Sequence, residues 1–177
     1  VGGVLQLLLK QPPSEQDRNH QVRAAWGGGC PTQIWDEMER RFGLGMRDSF
    51  GMTETSALNI VNLGGVAGAL GKPLPYFEAR VLDDDGSPTP PDQVGELFIR
   101  GKVPGLITAG YFRNPETTAE TIEDGWLKTG DLVSVDREGI YRFFSRKKDC
   151  VRRRGENVSP WDVERVREAL ESRGLAV

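Results

Sequence analysis

The most informative stretch of the chain is DSFGMTET, residues 48–55, where a predicted strand ends in a hydroxyl and carboxylate pair beside a glycine. The Thr53 hydroxyl and the neighbouring backbone N–H can hold a phosphate oxygen. The Glu54 carboxylate beside it can bind the Mg²⁺ that neutralises phosphates. An isolated Thr-Glu pair is more often a solvated turn, so this interpretation depends on the rest of the chain.

Upstream of this stretch, the sequence predicts a strand, a glycine turn and a helix. The strand covers 22–26 and stops at Gly27–Gly29, where a backbone without Cβ atoms can turn sharply or approach a ligand. Pro31 then opens a helical pattern, with apolar residues on one face and charged residues off it, until Gly43 ends it. We expect this helix to pack on a sheet.

Downstream, the pattern changes to short strands, which are predicted at 78–82, 95–100, 132–135 and 140–144. Asn114 and Pro115 cap a short helix that ends near Ile122. Ser159 and Pro160 start a last helix with an apolar stripe. Three helices among many short strands favour a mixed α/β fold of α+β character, with much antiparallel sheet.

Composition excludes several classes of protein. The chain has 177 residues, a net charge of −3 and 37% hydrophobic residues, which is typical of a globular domain and argues against a polycation that binds nucleic acid. The basic run Arg152–Arg154 lacks the interleaved aromatic residues of a nucleic-acid surface. The apolar stretch 4–9 is far shorter than the roughly 20 residues of a membrane span. Cys30 and Cys150 are far apart in sequence, which favours a reducing, cytoplasmic compartment.

Two further motifs follow residues 48–55 along the chain, and together the motifs resemble a known family. They are WLKTGD at 126–131 and RKKDCVRRRG at 146–155, with GEL at 95–97, RG at 100–101 and GY at 110–111 before them. Their order and spacing resemble the adenylate-forming superfamily, which includes acyl-CoA synthetases, adenylation domains of peptide synthetases and luciferases. The Arg-Gly-Glu-Asn segment is most similar in style to crotonobetaine and carnitine CoA ligases.

The resemblance implies an architecture of two parts. Residues 1–147 would form the C-terminal part of the large AMP-binding domain, including an antiparallel, barrel-like portion. Residues 148–177 would form the hinge and the start of the small C-terminal domain. The superfamily's phosphate loop with Pro-Lys-Gly and its late catalytic lysine have no counterpart here. We therefore expect a fragment of a larger enzyme that is inactive by itself.

The resemblance also implies an adenine and phosphate site around residues 28–54. Its nucleotide-binding residues would be Gly28, Gly29, Cys30, Asp48, Phe50, Gly51, Met52 and Thr53. The glycine turn with Cys30 would form one wall of the adenine slot, and the Phe50 ring would form the other. Asp48 would read the adenine amino group. Thr53 would contact the phosphate, and Glu54 would bind Mg²⁺.

The later motifs supply the remaining implied roles. Asp131 would accept hydrogen bonds from the ribose hydroxyls, and Arg146 would reach the ribose or the phosphate. Lys148 matches the hinge about which the small domain rotates between the two half-reactions. Gly155 would line the channel for the pantetheine of coenzyme A, where a side chain would block the thiol.

The implied reaction is that of an ATP-dependent acyl-CoA ligase. A small-molecule carboxylic acid attacks the α-phosphorus of ATP and gives an acyl adenylate and pyrophosphate. The thiol of coenzyme A then displaces AMP. Two alternatives remain open: a nucleotide-binding remnant without turnover, and an adenylation domain that loads a carrier protein.

Overall fold

The computed structural model describes residues 2–153, 156–158 and 160–171. Over these ranges the chain forms four α-helices and eleven β-strands, connected by loops and three short 3-10 helices. The helices are α1 Gly2–Lys10, α2 Trp35–Phe42, α3 Pro115–Thr121 and α4 Pro160–Glu171. The strands are β1 Ala24–Gly27, β2 Gly45–Met52, β3 Ala57–Val61, β4 Lys72–Pro73, β5 Phe77–Leu82, β6 Gly95–Gly101, β7 Ile122–Glu123, β8 Trp126–Val135, β9 Tyr141–Arg146, β10 Val151–Arg153 and β11 Glu156–Val158.

The first sheet has the order β1-β2-β3-β4, with β1 parallel to β2 and the other pairs antiparallel. Helix α2 covers β2, because its apolar face buries Trp35 and Met38 against Met46. Gly43 ends the helix in the left-handed conformation, with φ +65°. The prediction that this helix packs on a sheet is confirmed.

The second sheet is antiparallel and curves into a half-barrel. Its order is β5-β6-β8-β7. Strand β9 pairs with residues 131–135 of β8, beyond the short pairing of β8 with β7. One apolar cluster joins it to the first sheet; the buried members are Ile60, Leu70, Phe77, Val81, Leu97, Ile99, Val133 and Tyr141. The predicted mixed α/β class with an antiparallel, barrel-like portion is confirmed.

The elements that differ from the sequence prediction include α1, β3 and β8. Residues 4–9 lie within a helix, α1, in which Leu5 is buried against the α2 cluster. Strand β3, which pairs with β2, was not predicted from the sequence. Strand β8 begins at Trp126 instead of 132, so the whole Thr-Gly-Asp motif lies inside a strand. Its polar residues and the positive φ of Gly130, +69°, are typical of a turn, but pairing with β6 and β9 holds them in the sheet.

Two sequence expectations concern the chain as a whole. No helix in the described ranges is long and apolar enough to cross a bilayer. The boundary between residues 147 and 148 follows β9 directly, and the two-domain division stays a prediction.

Candidate functional site

A cleft of about 510 Å³ lies between the two sheets, where the turn after β1 faces the middle of β8 and the end of β9. Eight predicted site residues line this cleft: Gly28, Gly29, Cys30, Asp48, Phe50, Gly51, Asp131 and Arg146. The fold therefore brings three distant sequence motifs to one cavity. Leu70, Phe143 and Phe144 add apolar surface that the sequence analysis did not assign.

The Asp48 carboxylate holds the glycine turn in place. Its Oδ1 accepts hydrogen bonds from the Gly29 and Ser49 amides at 3.0 and 2.8 Å, and its Oδ2 accepts from the Cys30 amide at 3.1 Å. Burial raises the pKa of Asp48, and these three amides oppose that shift. Both carboxylate oxygens thus already bind backbone, and the role of Asp48 in reading adenine stays a prediction.

Asp48→Asn is expected to loosen this turn, because an amide offers one acceptor oxygen and turns an NH₂ group toward a backbone N–H. Each lost hydrogen bond to a charged group is worth about 1.5–3 kcal/mol. The buried Cys30 thiol should then react with a thiol reagent about tenfold faster, since burial and the Asp48 charge now raise its pKa. Cys150 is free and less buried, and it serves as the internal control. An unchanged Cys30 rate would show that other contacts hold the turn.

Asp131 is the buried charge of the cleft. Its side chain is about 1% exposed, and the Arg146 Nε lies 2.9 Å from Oδ1. That pair is not aligned as a hydrogen bond, and neither Asp131 oxygen accepts one from the described part of the chain. Burial raises the pKa of Asp131 to about 6; Arg146 opposes the shift and Glu96 adds to it. Buried oxygens of this kind need a donor, and the cleft is where one can enter.

The position of Asp131 is set by its own strand. The Asp131 amide donates to Thr129 Oγ1 at 3.1 Å, and that hydroxyl donates to the Leu97 carbonyl of β6 at 2.8 Å. Thr129 is buried, so this threonine of the Thr-Gly-Asp motif braces the backbone that carries the aspartate. The sequence analysis gave Thr129 no role.

A second, smaller cleft of about 350 Å³ adjoins the first. It contains Thr53 and Glu54, and it shares Gly51 and Arg146 with the larger cleft. Thr53 begins a 3-10 turn directly after β2, which places Glu54 just beyond the end of this strand. Tyr111 also lines this cleft, and its hydroxyl donates to Glu54 Oε1 at 2.9 Å. The residues predicted to bind the nucleotide and the residue predicted to bind the metal therefore line adjoining clefts.

The metal candidate is a single carboxylate. Within the described ranges, no three His, Cys, Asp or Glu side chains gather to form a metal cage. Mg²⁺ commonly binds through one or two carboxylates together with substrate phosphates and water. Glu54 beside Thr53 fits that kind of site, in which the nucleotide supplies the other ligands.

The predicted hinge residue follows the last strand of the half-barrel. Lys147 is tied back to this sheet, because its amide donates to the Gly130 carbonyl at 2.8 Å and its Nζ donates to Glu96 Oε2 at 2.6 Å. Lys148 is exposed in the turn that follows. The Arg146 carbonyl accepts from the Asp149 amide at 3.1 Å and closes this turn. Gly155 lies outside the described residues.

Trp126 lies away from both clefts. The Arg80 guanidinium stacks 4.1 Å from its ring centroid, and the Arg100 guanidinium stacks 4.6 Å from it. These cation–π contacts stabilise the ring on the outer face of the half-barrel. Trp126 is close to Asp131 in sequence, but it lines neither cleft.

Comparison with known proteins identifies relatives over almost the whole chain. The AMP-binding enzyme family matches residues 1–112. A long-chain-fatty-acid–CoA ligase of Escherichia coli O6:H1 is 34% identical over 171 residues, which cover 94% of this chain and 30% of the relative. A crotonobetaine/carnitine–CoA ligase of Shigella sonnei is 37% identical over 169 residues, which cover 92% of this chain and 32% of the relative.

Solved structures agree with these relatives. ATP-bound MatB from Rhodopseudomonas palustris superposes with a TM-score of 0.80 at 29% identity, over 93% of this chain and 33% of that one. The anthranilate CoA ligase AuaEII in complex with anthranoyl-AMP gives 0.74 at 28% identity, over 86% of this chain and 30% of that one. The chain spans about a third of the length of the relatives that it matches. By sequence and by fold, the chain belongs to the AMP-binding enzyme family.

Proposed function

We propose that this chain forms the adenosine and magnesium site of an ATP-dependent acyl-CoA ligase, which activates a carboxylic acid as acyl-AMP and transfers the acyl group to coenzyme A. The observation that carries the proposal is Asp131: a buried carboxylate on the cleft wall whose oxygens accept no hydrogen bond from the described residues. Arg146 offsets part of the cost of burying this charge, and a ligand that donates hydrogen bonds to the carboxylate would offset more of it. The family and its ligase relatives supply the reaction class.

Adenine lies, in this proposal, between the glycine turn and the Phe50 ring. Phe50 is half-buried on one wall of the cleft, and Gly28 and Gly29 present bare backbone on another. A Cβ added at Gly28 would lie 3.4 Å from the Ser49 carbonyl oxygen, an ordinary contact, and both residues line the cleft. A flat ring stacks on an aromatic face at little entropic cost, which suits a purine.

The ribose hydroxyls donate to the Asp131 carboxylate, and Arg146 extends from the ribose toward the phosphates. Two features support this placement: Arg146 pairs with Asp131, and it lines both clefts. The guanidinium is half-exposed and always charged, so it can turn toward a phosphate and keep its contact with the carboxylate.

The reacting phosphate lies near Gly51, which lines the two clefts already described and an open third cleft beside Leu58. Met52 and Thr53 also line that third cleft, so the carboxylic acid has a path to the phosphate from this side. Thr53 holds a phosphate oxygen and Glu54 holds Mg²⁺. Bound Mg²⁺ stabilises the charge that develops on the phosphates during the transfer.

Coenzyme A acts in the second half-reaction. Its thiol sulfur forms a bond to the acyl carbon, gives up its proton, and displaces AMP. Rotation about Lys148, with Gly155 lining the thiol channel, supplies the rearrangement between the half-reactions in this proposal. The ion pair of Lys147 with Glu96 supports a rotation that begins after residue 147.

Calorimetric titration of the chain with AMP, and with ATP with and without Mg²⁺, tests the proposal. We expect both nucleotides to bind, and ATP to bind more tightly when Mg²⁺ is present. Asp131→Asn should bind AMP more weakly than the wild type, and Asp136→Asn is its matched control. Asp136 is a carboxylate of the same half-barrel, but it pairs with Arg142 and lines none of these clefts. Failure of the wild-type chain to bind AMP would overturn the proposal.

Turnover assays separate the alternatives when they use a longer protein that carries this chain together with the Pro-Lys-Gly loop and the late catalytic lysine, because the chain alone is expected to be inactive. Pyrophosphate release with a panel of carboxylic acids indicates a ligase, whereas binding without release favours the remnant. Thioester formation with free coenzyme A supports the ligase. Transfer only to a carrier protein would replace it with the carrier-loading adenylation domain.

A further inference from the structure

Tyr111 reaches the candidate metal residue from 57 positions away in the sequence, and its hydroxyl donates to Glu54 Oε1 at 2.9 Å. No other described side chain bonds to this carboxylate. We propose that Tyr111 is a positioning residue: it fixes one Glu54 oxygen and thereby presents the carboxylate to the cation in a single orientation. This inference rests on the proposed role of Glu54 in binding Mg²⁺.

The tyrosine is itself held at its backbone. Its amide donates to Thr118 Oγ1 of α3 at 2.9 Å, and this hydroxyl donates to the Asn114 carbonyl at 2.8 Å. The preceding Gly110 has φ +141°, and an added Cβ there would lie 2.8 Å from the Thr118 side chain. The approach of the phenol to Glu54 is therefore set by α3 and its capping loop.

The same segment also holds the Glu54 backbone. The Thr108 amide donates to the Glu54 carbonyl at 2.7 Å. Residues 108–118 thus brace the turn twice, once at the main chain and once at the side chain. Removal of the phenolic hydroxyl would leave the main-chain contact in place, so the orientation of the carboxylate can be changed without losing the turn.

Orientation matters for this cation in particular. Mg²⁺ demands near-ideal octahedral geometry and gives up its waters reluctantly, so a carboxylate that rotates freely is a poor ligand. A phenol that donates to a charged oxygen makes a charge-assisted hydrogen bond, which is stronger than a neutral one.

The test compares Tyr111→Phe with Tyr76→Phe. Tyr76 is the control position because it is exposed and lies outside both clefts. Two titrations are measured on the 177-residue chain: AMP without metal, and ATP at increasing Mg²⁺ concentration. In Tyr111→Phe we expect the Mg²⁺ concentration for half-maximal enhancement of ATP binding to rise about tenfold. AMP affinity should stay within about twofold, which also reports that the fold is intact. Tyr76→Phe should match the wild type in both.

A spectroscopic readout separates positioning from a merely structural role. In the wild-type chain with ¹³C-labelled tyrosine, Mg²⁺ and ATP should shift the ¹³Cζ resonance of Tyr111, because its phenol donates to the carboxylate that binds the cation. The labelled Tyr76 resonance is the control and should not respond. A purely structural Tyr111 would show no such response.

A double-substitution cycle completes the test. In a Glu54→Gln background, Tyr111→Phe should add no further change in the Mg²⁺ dependence, because the residue that it positions is gone. If the wild-type chain shows the Mg²⁺ enhancement and Tyr111→Phe retains it fully, the positioning role is overturned and the proposed function stands. If the wild-type chain binds ATP with no response to Mg²⁺, the metal role of Glu54 fails, and this inference fails with it.

Discussion

Asp131→Asn is expected to stabilise the free chain at neutral pH and to weaken AMP binding at least tenfold. Both effects have one cause: at pH 7 the wild-type chain buries a carboxylate whose oxygens accept no hydrogen bond from the described residues. Without nucleotide, the neutral amide avoids the cost of burying the charge. With nucleotide, the amide offers a weaker acceptor to the ribose hydroxyls, and each hydrogen bond to a charged group contributes about 1.5–3 kcal/mol.

The pH dependence gives this prediction its sign. The pKa of Asp131 is about 6 in the folded chain, against an ordinary value of 3.8. Between these values the folded chain binds more protons than the unfolded chain, so this residue makes the fold more stable as the pH falls from 7 to 4. A shift of this size corresponds to about 3 kcal/mol at neutral pH. Asparagine should recover about 1–2 kcal/mol of it, because the amide is also polar.

Asp136 provides a control of opposite sign. Its carboxylate accepts from Arg142 at 2.7 Å and from the Ile140 amide at 2.8 Å, and these hydrogen bonds lower its pKa. The contribution of Asp136 to the stability of the fold is present at neutral pH and is lost on acidification. Asp136→Asn should therefore lower the melting temperature at pH 7. Melting temperatures from pH 4 to 8 for both variants check the two signs. An Asp131→Asn chain that melts below the wild type at pH 7 would contradict the buried-charge account.

AMP binding should follow the same group. Wild-type affinity is expected to decrease below about pH 6, as Asp131 takes up a proton and one oxygen becomes a donor. Bound AMP favours the charged form, so the decrease should begin near the pKa of the free chain and level off below the lower pKa of the AMP-bound chain. Calorimetry at several pH values measures this, and Asp131→Asn should show a much flatter profile. Equal pH profiles for the two chains would place the ribose elsewhere.

Local signals in the sequence were enough for elements that form by local rules. The end of α2 at Gly43 was predictable because only a left-handed residue was needed there, and β5 and β6 match their predicted strands to within one residue. Strand β8 was predicted only in its second half. Its first half contains a glycine with positive φ and polar side chains, and only pairing with β6 and β7 makes it a strand.

The candidate site, like the fold, was predictable only in part. The motifs predicted which residues meet, and the clefts do bring Phe50, Asp131 and Arg146 together. The supporting contacts were not predictable, because they join residues that are distant in sequence. The Asp48 carboxylate holds the Gly29 and Cys30 amides, and nothing in the local pattern indicates this. The burial of Asp131 was equally hidden, since an aspartate after a Thr-Gly pair is typical of an exposed turn.

Gly71→Ala is expected to cause the largest loss of stability among single-methyl additions to this fold. Gly71 lies where the first sheet meets β9: its carbonyl accepts from the Tyr141 amide at 2.8 Å, just after Leu70 donates to the Tyr141 carbonyl. Its φ is +99°, which favours glycine. An added Cβ would lie 2.0 Å from the Val61 carbonyl oxygen, well inside contact distance. Because the clashing atoms are backbone, no side-chain rotation relieves them.

Gly86→Ala isolates the conformational part of that cost. Gly86 also has a positive φ, +79°, but an added Cβ there would meet no atom within 4 Å. The control should lose only about 1 kcal/mol from the unfavourable backbone conformation. Gly71→Ala should lose about 3 kcal/mol or more, since overpacking adds to the same strain. Denaturant unfolding of both variants measures the difference.

The consequence of Gly71→Ala extends to the clefts, because Leu70 is a wall residue of the larger one and belongs to the cluster that joins the sheets. If the methyl group forces residue 71 away from Val61 and thereby breaks its pairing with Tyr141 of β9, the glycine-turn wall and the Asp131 wall should separate, and AMP affinity should decrease along with stability. Gly86→Ala should bind AMP as the wild type does. Equal losses of stability in the two variants would mean that Val61 and β3 can shift freely, and the contact between the sheets would then not set the width of the cleft.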